Sequence, residues 1–217
     1  MSSPKSVDSS LVLSYLGLRK AIGIIGSALP FVLVVGKWVL ESPGLQTSIS
    51  DYYYTVMRNV LVGSLCAIGV FLMSYRGYER KDDIAGDLAC VFAIGVACFP
   101  STPERDPAPI YRIIGYVHYG FATAFFLTLA YFCLVLFRKT DPRKPMTPQK
   151  RQRNAVYMTC GNVILACIAL IALNALLFRG TFVERLDPVF WLEATAVLSF
   201  GISWLTKGEA ILKDRTD

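Results

Sequence analysis

His118 is the only histidine in the chain, and it stands at the mouth of an apolar run between Tyr116 and Tyr119. An imidazole there could act as a general base if a carboxylate orients it, and two carboxylates are in prospect, Asp51 and Glu193. Glu193 is the more telling of the two. It lies one turn inside an apolar run, where an ionisable group is costly unless it is paired or faces water. Arg58 follows Asp51 by seven residues. If one helix begins at Asp51, two turns bring both to the same side, with Tyr54 between them. Arg58 would then hold a phosphate or carboxylate group, and Ser50, Tyr54 and Tyr119 would add hydroxyls for ligand binding. His118, Glu193 and Asp51 form the candidate catalytic set. Structural roles compete at each position: Asp51 could cap a helix, the tyrosines could form an interfacial belt with Trp38 and Trp191, and His118 could bond a loop.

The elements that must position these residues are six apolar runs, at 21–40, 60–78, 84–99, 116–137, 155–177 and 189–206. About 20 helical residues cross a hydrocarbon layer roughly 30 Å thick, so each run is a candidate membrane span, the third being the shortest. Composition agrees, with 54% hydrophobic residues, 18% charged residues and a mean hydropathy of +0.47. The expected fold is an all-α integral membrane protein, a six-transmembrane-helix bundle forming one membrane domain over residues 1–217, with residues 1–20 as an interfacial N-terminal segment.

Lys and Arg fall unevenly on alternate sides of these runs: of 22 in all, sixteen lie on the side of the two termini and six on the other. Basic loops are retained in the cytoplasm, so both termini are expected there, in a multi-pass protein of the cell's inner (plasma) membrane. The net charge of +6 therefore reads as topology, and nucleic acid is not implied. Residues 138–153 hold Arg138, Lys139, Arg143, Lys144, Lys150, Arg151 and Arg153 against one acid, Asp141. Such a stretch would retain the loop inside and lie along anionic inner-leaflet lipid.

All six cysteines fall inside the runs, so neither a disulfide framework nor a metal cage is expected, and no cofactor motif is present. Ser9 and Ser10 could cap a short amphipathic helix carrying Leu11, Tyr15 and Leu18, lying on the inner surface. Arg19 and Lys20 precede the first run and no small-x-small cleavage site follows it, so that run is expected to remain in the mature protein. Small residues recur at spacings of four: Gly23 and Ser27, Gly63 and Ala67, and Ala89, Ala93 and Ala97, with Gly86 and Cys90 beside the last stripe. They let helix backbones approach closely, which points to a central position for the third helix. Pro30 should kink the first helix.

Two other functions compete with a lipid site. Glu193, Ala196, Phe200, Ser203 and Lys207 share one face of the sixth helix, and with Asp87 could line a transport path. A structural subunit of a membrane complex, or a homo-oligomer, needs no chemistry at all.

The triplet Ile49-Ser50-Asp51 before the second run, the small-residue third run, and His118, Ala122 and Phe125-Phe126 in the fourth resemble the pattern of the DRAM-like family over residues 49 to 135. That family includes autophagy modulators and a factor in GPI-anchor lipid remodelling, and bacterial six-span families look similar. The resemblance implies a six-helix bundle with its polar site at the outer leaflet and a role in handling membrane lipid. Tyr52-Tyr53-Tyr54-Thr55 stands where the family has glycine and proline, so the loop geometry is expected to differ. A serine and aspartate near the second run are also similar to the membrane hydrolases that include alkaline ceramidases and adiponectin receptors. Those hold zinc with several histidines, and a single His118 cannot rebuild that site.

Overall fold

A computed structural model of the protein describes residues 4–75, 79–103, 107–140, 146–177 and 181–213, without the side chains of residues 4–14, 184 and 185. Arg76, Arg105, Asp141, Arg143, Lys144, Arg179 and Arg215 lie outside the described residues, and the face expected of Leu11 is not described. Among the described residues the chain is helical, with no strand. The α-helices are α1 (Pro4–Leu40), α2 (Arg58–Met73), α3 (Arg80–Cys98), α4 (Pro109–Tyr131), α5 (Pro148–Leu177) and α6 (Pro188–Lys207). A 3-10 turn (Ser50–Tyr54) precedes α2, a π turn (Phe132–Leu136) extends α4, and a second 3-10 turn (Phe182–Leu186) precedes α6.

Four of these helices, α1 from Tyr15, α4 with its π extension, α5 and α6, are long and apolar enough to cross a membrane, as a helical membrane protein requires. Their outward faces are apolar too. In the most apolar stretch of α5 only 22% of residues are buried although mean hydropathy reaches 2.3, and Phe31, Val39, Leu40, Leu176 and Leu177 are all more than half exposed. Water would penalise so much uncovered hydrocarbon surface, whereas lipid does not.

The two remaining helices differ from expectation. α2 has 16 residues and ends at Met73, five residues short of the expected boundary. α3 has 19 but spends its first turns on Arg80, Lys81, Asp82, Asp83 and Asp87. α1 is likewise one continuous helix through Ser9, Ser10 and Pro30, so no separate surface helix is capped at the serines.

Each helix packs against its neighbours in the chain, and α6 closes onto α1, so the six form a ring. α3 occupies one position in that ring and is not central. Its small residues Ala85, Gly86, Ala89, Cys90, Ala93 and Ala97 are buried, while Ile84, Leu88, Val91 and Ile94 are exposed on the other side. One smooth face admits a neighbouring backbone and the other presents bulky apolar groups outward. Gly23 and Ser27 serve the α1–α6 seam: a Cβ on the facing Gly201 would come within 2.7 Å of the Ser27 nitrogen and 3.0 Å of the Gly23 oxygen. Gly63, by contrast, faces open space.

At the end carrying the start of α1, Tyr75, Phe132, Phe137, Tyr157 and Trp204 form a cluster of edge-to-face and tilted ring contacts, and all five are buried. Beside it Asp82, 1% exposed, accepts from Lys139 Nζ at 2.5 Å. That bond is the main reason the Lys139 ammonium is held above the usual lysine value.

The seam makes a simple stability test. Gly201→Ala should cost about 1–3 kcal/mol despite the better helix propensity of alanine, because the added methyl overpacks the α1–α6 contact. Gly63→Ala should leave the midpoint of unfolding in mixed micelles unchanged or raised.

Candidate functional site

At the opposite end, the chain between α1 and α2 folds back over the start of α6. The Phe190 amide donates to Thr47 O at 3.0 Å, and the Ile49 amide donates to Glu193 Oε2 at 2.7 Å. The same carboxylate also accepts from the Ser50 amide. Two amides that would otherwise be unsatisfied above an apolar bundle thus find a carboxyl acceptor on α6. This fixes the 3-10 turn in place.

Ser50, the first residue of that turn, lies against His118 of α4, with Oγ 3.0 Å from Nε2. On the other side of the ring, Nδ1 is 2.6 Å from the carbonyl oxygen of Phe99, just past the end of α3. A carbonyl can only accept, so the proton belongs on Nδ1, and the neutral ring then offers Nε2 to the Ser50 hydroxyl, which donates. The ring is 3% exposed. What orients it is a backbone carbonyl, and neither Asp51 nor Glu193 is its partner; both carboxylates are committed to the turn and its surroundings.

Asp51 is the tie between the turn and the loop after α3. It accepts from Ser101 Oγ at 2.6 Å and from Thr47 Oγ1 at 2.5 Å, while its amide donates to Ser48 Oγ at 3.0 Å. Tyr54 Oη donates to Ser101 O at 2.6 Å. Burial first, and then the Asp51 charge, push the Tyr54 phenol up to about 12. The loop reaches α4 because residue 115 is glycine: a Cβ there would collide with Thr102 Oγ1 and come within 3.0 Å of the Thr102 nitrogen. Gly115 therefore places the Phe99 carbonyl within reach of His118, one turn along α4.

Behind the Ser50–His118 pair lies a cavity of about 50 Å³ whose other walls are hydrocarbon, including Leu29, Leu65, Ala122 and Phe125, with Glu193 on its α6 side. One water needs roughly 10–15 Å³ on this measure, so the space admits a few waters or a few methylene groups.

Ser50, His118 and Glu193 share this cavity. Asp51 is adjacent through the turn. Arg58, Tyr54 and Tyr119 do not line it. The helix expected to start at Asp51 instead starts at Arg58, so the two-turn alignment of Asp51 with Arg58 is absent. The Arg58 guanidinium lies over the Tyr53 ring at 4.6 Å, with Nε donating to Tyr53 O at 2.7 Å. Since Tyr53 lines the cavity, Arg58 sits one ring from its mouth. Tyr119 is 49% exposed and meets His118 only edge-on, with ring centroids 5.8 Å apart.

Three participants escaped the sequence. Ser101 and Thr47 are ordinary loop hydroxyls, and the Phe99 carbonyl carries no side-chain signature. The pairing of Ser50 with His118 spans 68 residues and has no local spacing to betray it. Among the described residues no group of three or more His, Cys, Asp or Glu converges as a metal site. The face of α6 expected to line a path is a packing face at Ala196, Phe200 and Ser203, all buried, and Ser203 Oγ donates to Phe200 O at 2.7 Å. Asp87 is exposed. No family model, curated protein or solved structure matches the chain.

The raised phenol of Tyr54 predicts an alkaline transition. A folded-state value above the ordinary value of 10.0 means that the protonated phenol adds stability in full below pH 10, and that this stability is lost as pH rises towards about 12. Unfolding followed by tyrosine absorbance and circular dichroism should steepen across that window in the parent protein and less so in Tyr54→Phe.

Proposed function

We propose that the chain is a six-span membrane protein with both termini in the cytoplasm. In this reading it binds a membrane lipid in the cavity at its outer end, and the Ser50–His118 pair modifies that lipid. The observation that carries the reading is the combination at one site: a serine hydroxyl donating to an imidazole whose far nitrogen is fixed by a carbonyl, facing a cavity with hydrocarbon walls. A hydrocarbon lining suits an acyl chain, and a serine paired with a neutral imidazole is the arrangement that activates a hydroxyl.

The chemistry follows from the partners. Ser50 Oγ attacks an ester carbonyl carbon of the lipid, its proton passing to His118 Nε2 and from there to the departing alkoxide; water or an acceptor hydroxyl then releases the acyl group from Ser50 by the reverse route. Glu193 is a positioning residue that holds the Ile49 and Ser50 amides. Arg58, stacked on Tyr53 at the lip, takes an anionic part of the lipid. The cavity admits only the methylenes nearest the ester, so the rest of the chain runs in the bilayer. The uneven distribution of basic residues supports the orientation, and the resemblance to DRAM-like proteins supports lipid as the substrate class. The sealed environment of Ser203 argues against a transport path along α6.

Two measurements test this. A fluorophosphonate should label Ser50 in the purified protein, with labelling slowed about 10²-fold or more in His118→Gln and absent in Ser50→Ala. Lipid retained through mild extraction should fall in Glu193→Gln, whose weakened hold on the 49–50 backbone loosens the cavity wall. Absence of labelling in the parent overturns the reactive pair, and unchanged retention in both His118→Ala and Glu193→Gln overturns the lipid pocket.

A further inference from the structure

α5 is the least covered of the four long apolar helices: 22% of its most apolar stretch is buried, against 39%, 33% and 44% in α1, α4 and α6. It contributes no residue to the cavity. Its inner face, with Tyr157, Cys160, Ile164 and Cys167 buried, packs against α4 and α6. On the outer face Ala155, Thr159, Asn162, Ala166, Ala169 and Leu173 follow one another at spacings of four and three, and all six are exposed. With 3.6 residues per turn these fall along one line of the helix, with Asn162 nearly opposite Ile164. The Asn162 amide therefore faces away from both neighbouring helices.

Asn162 is the group on this face that needs a partner. It stands seven residues inside the apolar run 155–177, about 10 Å at 1.5 Å per residue. Among the described residues no hydrogen bond reaches its side chain. Thr128 and Thr206, also within apolar helices, return their hydroxyls to the carbonyl four residues earlier, at 2.8 Å each. A carboxamide has two donor hydrogens as well as an acceptor oxygen, and hydrocarbon supplies a counterpart to neither.

We propose that two copies of the chain pair through α5, with their Asn162 amides hydrogen-bonded to each other across a twofold axis along the membrane normal. A second copy in the same orientation presents a carboxamide at the same depth, and each amide both donates and accepts, so one symmetric contact satisfies both. Ala155, Thr159, Ala166 and Ala169 flank Asn162 with small side chains, which lets the two backbones approach until the amides meet. Their four-three alternation is the heptad spacing of a left-handed helix pair, in which one asparagine fixes the register. A foreign helix would need a polar group at this depth, whereas the second copy carries one by symmetry. Arg151, exposed eleven residues before Asn162, meets its counterpart in the headgroup layer, where water and salt screen the repulsion.

The full-length protein in phosphatidylcholine vesicles provides the test. Donor-labelled and acceptor-labelled copies are mixed, and energy transfer is followed as the protein-to-lipid ratio is varied. The parent should pass from monomer to dimer as the ratio rises. Asn162→Leu should move that transition to ratios about tenfold higher or more, while Asn162→Gln, which keeps the carboxamide, restores most of the pairing. Leu88→Ala, on the exposed face of α3, should pair like the parent. Ala166→Leu leaves the amide in place but holds the backbones apart, so it should also weaken pairing, and it decides the matter if Asn162→Leu fails to fold. A parent that stays monomeric at every ratio leaves this face to lipid or to a foreign helix and overturns the proposal. So does an Asn162→Leu protein that pairs as tightly as the parent.

Discussion

The arrangement at the cavity end depends on one carboxylate placed against backbone amides. Glu193 lies one turn inside α6, where a charge is costly unless it is used, and it is used to accept the Ile49 amide and that of Ser50. Without that acceptor only the Phe190 amide bond to Thr47 O and the contact of the Tyr52 and Phe190 rings would hold the chain after α1 across the start of α6. With it, the 3-10 turn is fixed and Ser50 meets His118. Asp51 then joins the turn to the loop after α3, so three segments far apart in the chain are held by a few charge-assisted or hydroxyl bonds. Partial satisfaction of such a network would be worse than none, and its members stand or fall together.

Much of this end could be anticipated from residue types alone. Glu193, His118 and Asp51 are polar groups bordering hydrocarbon, and their cost marks them wherever they occur. Their partners were not legible, because partners are set by tertiary distance. The sequence pointed to a carboxylate for His118, and a main-chain carbonyl took that place. It pointed to a helix through Asp51, whereas Ser48 and Thr55 hydroxyls bonding back to the main chain favour a short turn ending before Arg58. Helix positions were clear where hydrophobic runs are long, as in α1, α4, α5 and α6. They were less so for α2 and α3, where length and charge conflict. The seam between α1 and α6 shows the same limit: Gly23 and Ser27 advertised a close contact, but only the fold reveals that Gly201 is what approaches them.

The two ends of the ring solve opposite electrostatic problems. At the cavity end, carboxylates are matched by amides and hydroxyls, and the polar groups are inward. At the other end, cations lie over rings, as Arg19 does over Tyr15 and Lys207 over Phe137, and Lys139 and Lys150 also donate to Asp82 and to Phe137 O. The π turn contributes here. By widening the last part of α4 it carries Phe137 in beside Trp204 and Tyr157 and leaves its carbonyl free for Lys150, outside the ordinary helical ladder.

Unequal helix heights have a consequence for the surrounding solvent. At 1.5 Å per residue α2 is only about 24 Å long, whereas the apolar part of α1 reaches about 39 Å. A bilayer around the four helices long enough to cross it would meet a shorter apolar surface at α2, the kind of mismatch that tilts a helix or thins the layer beside it. The shortest of the helices is thus the one that the turn opened by Ser50 leads into.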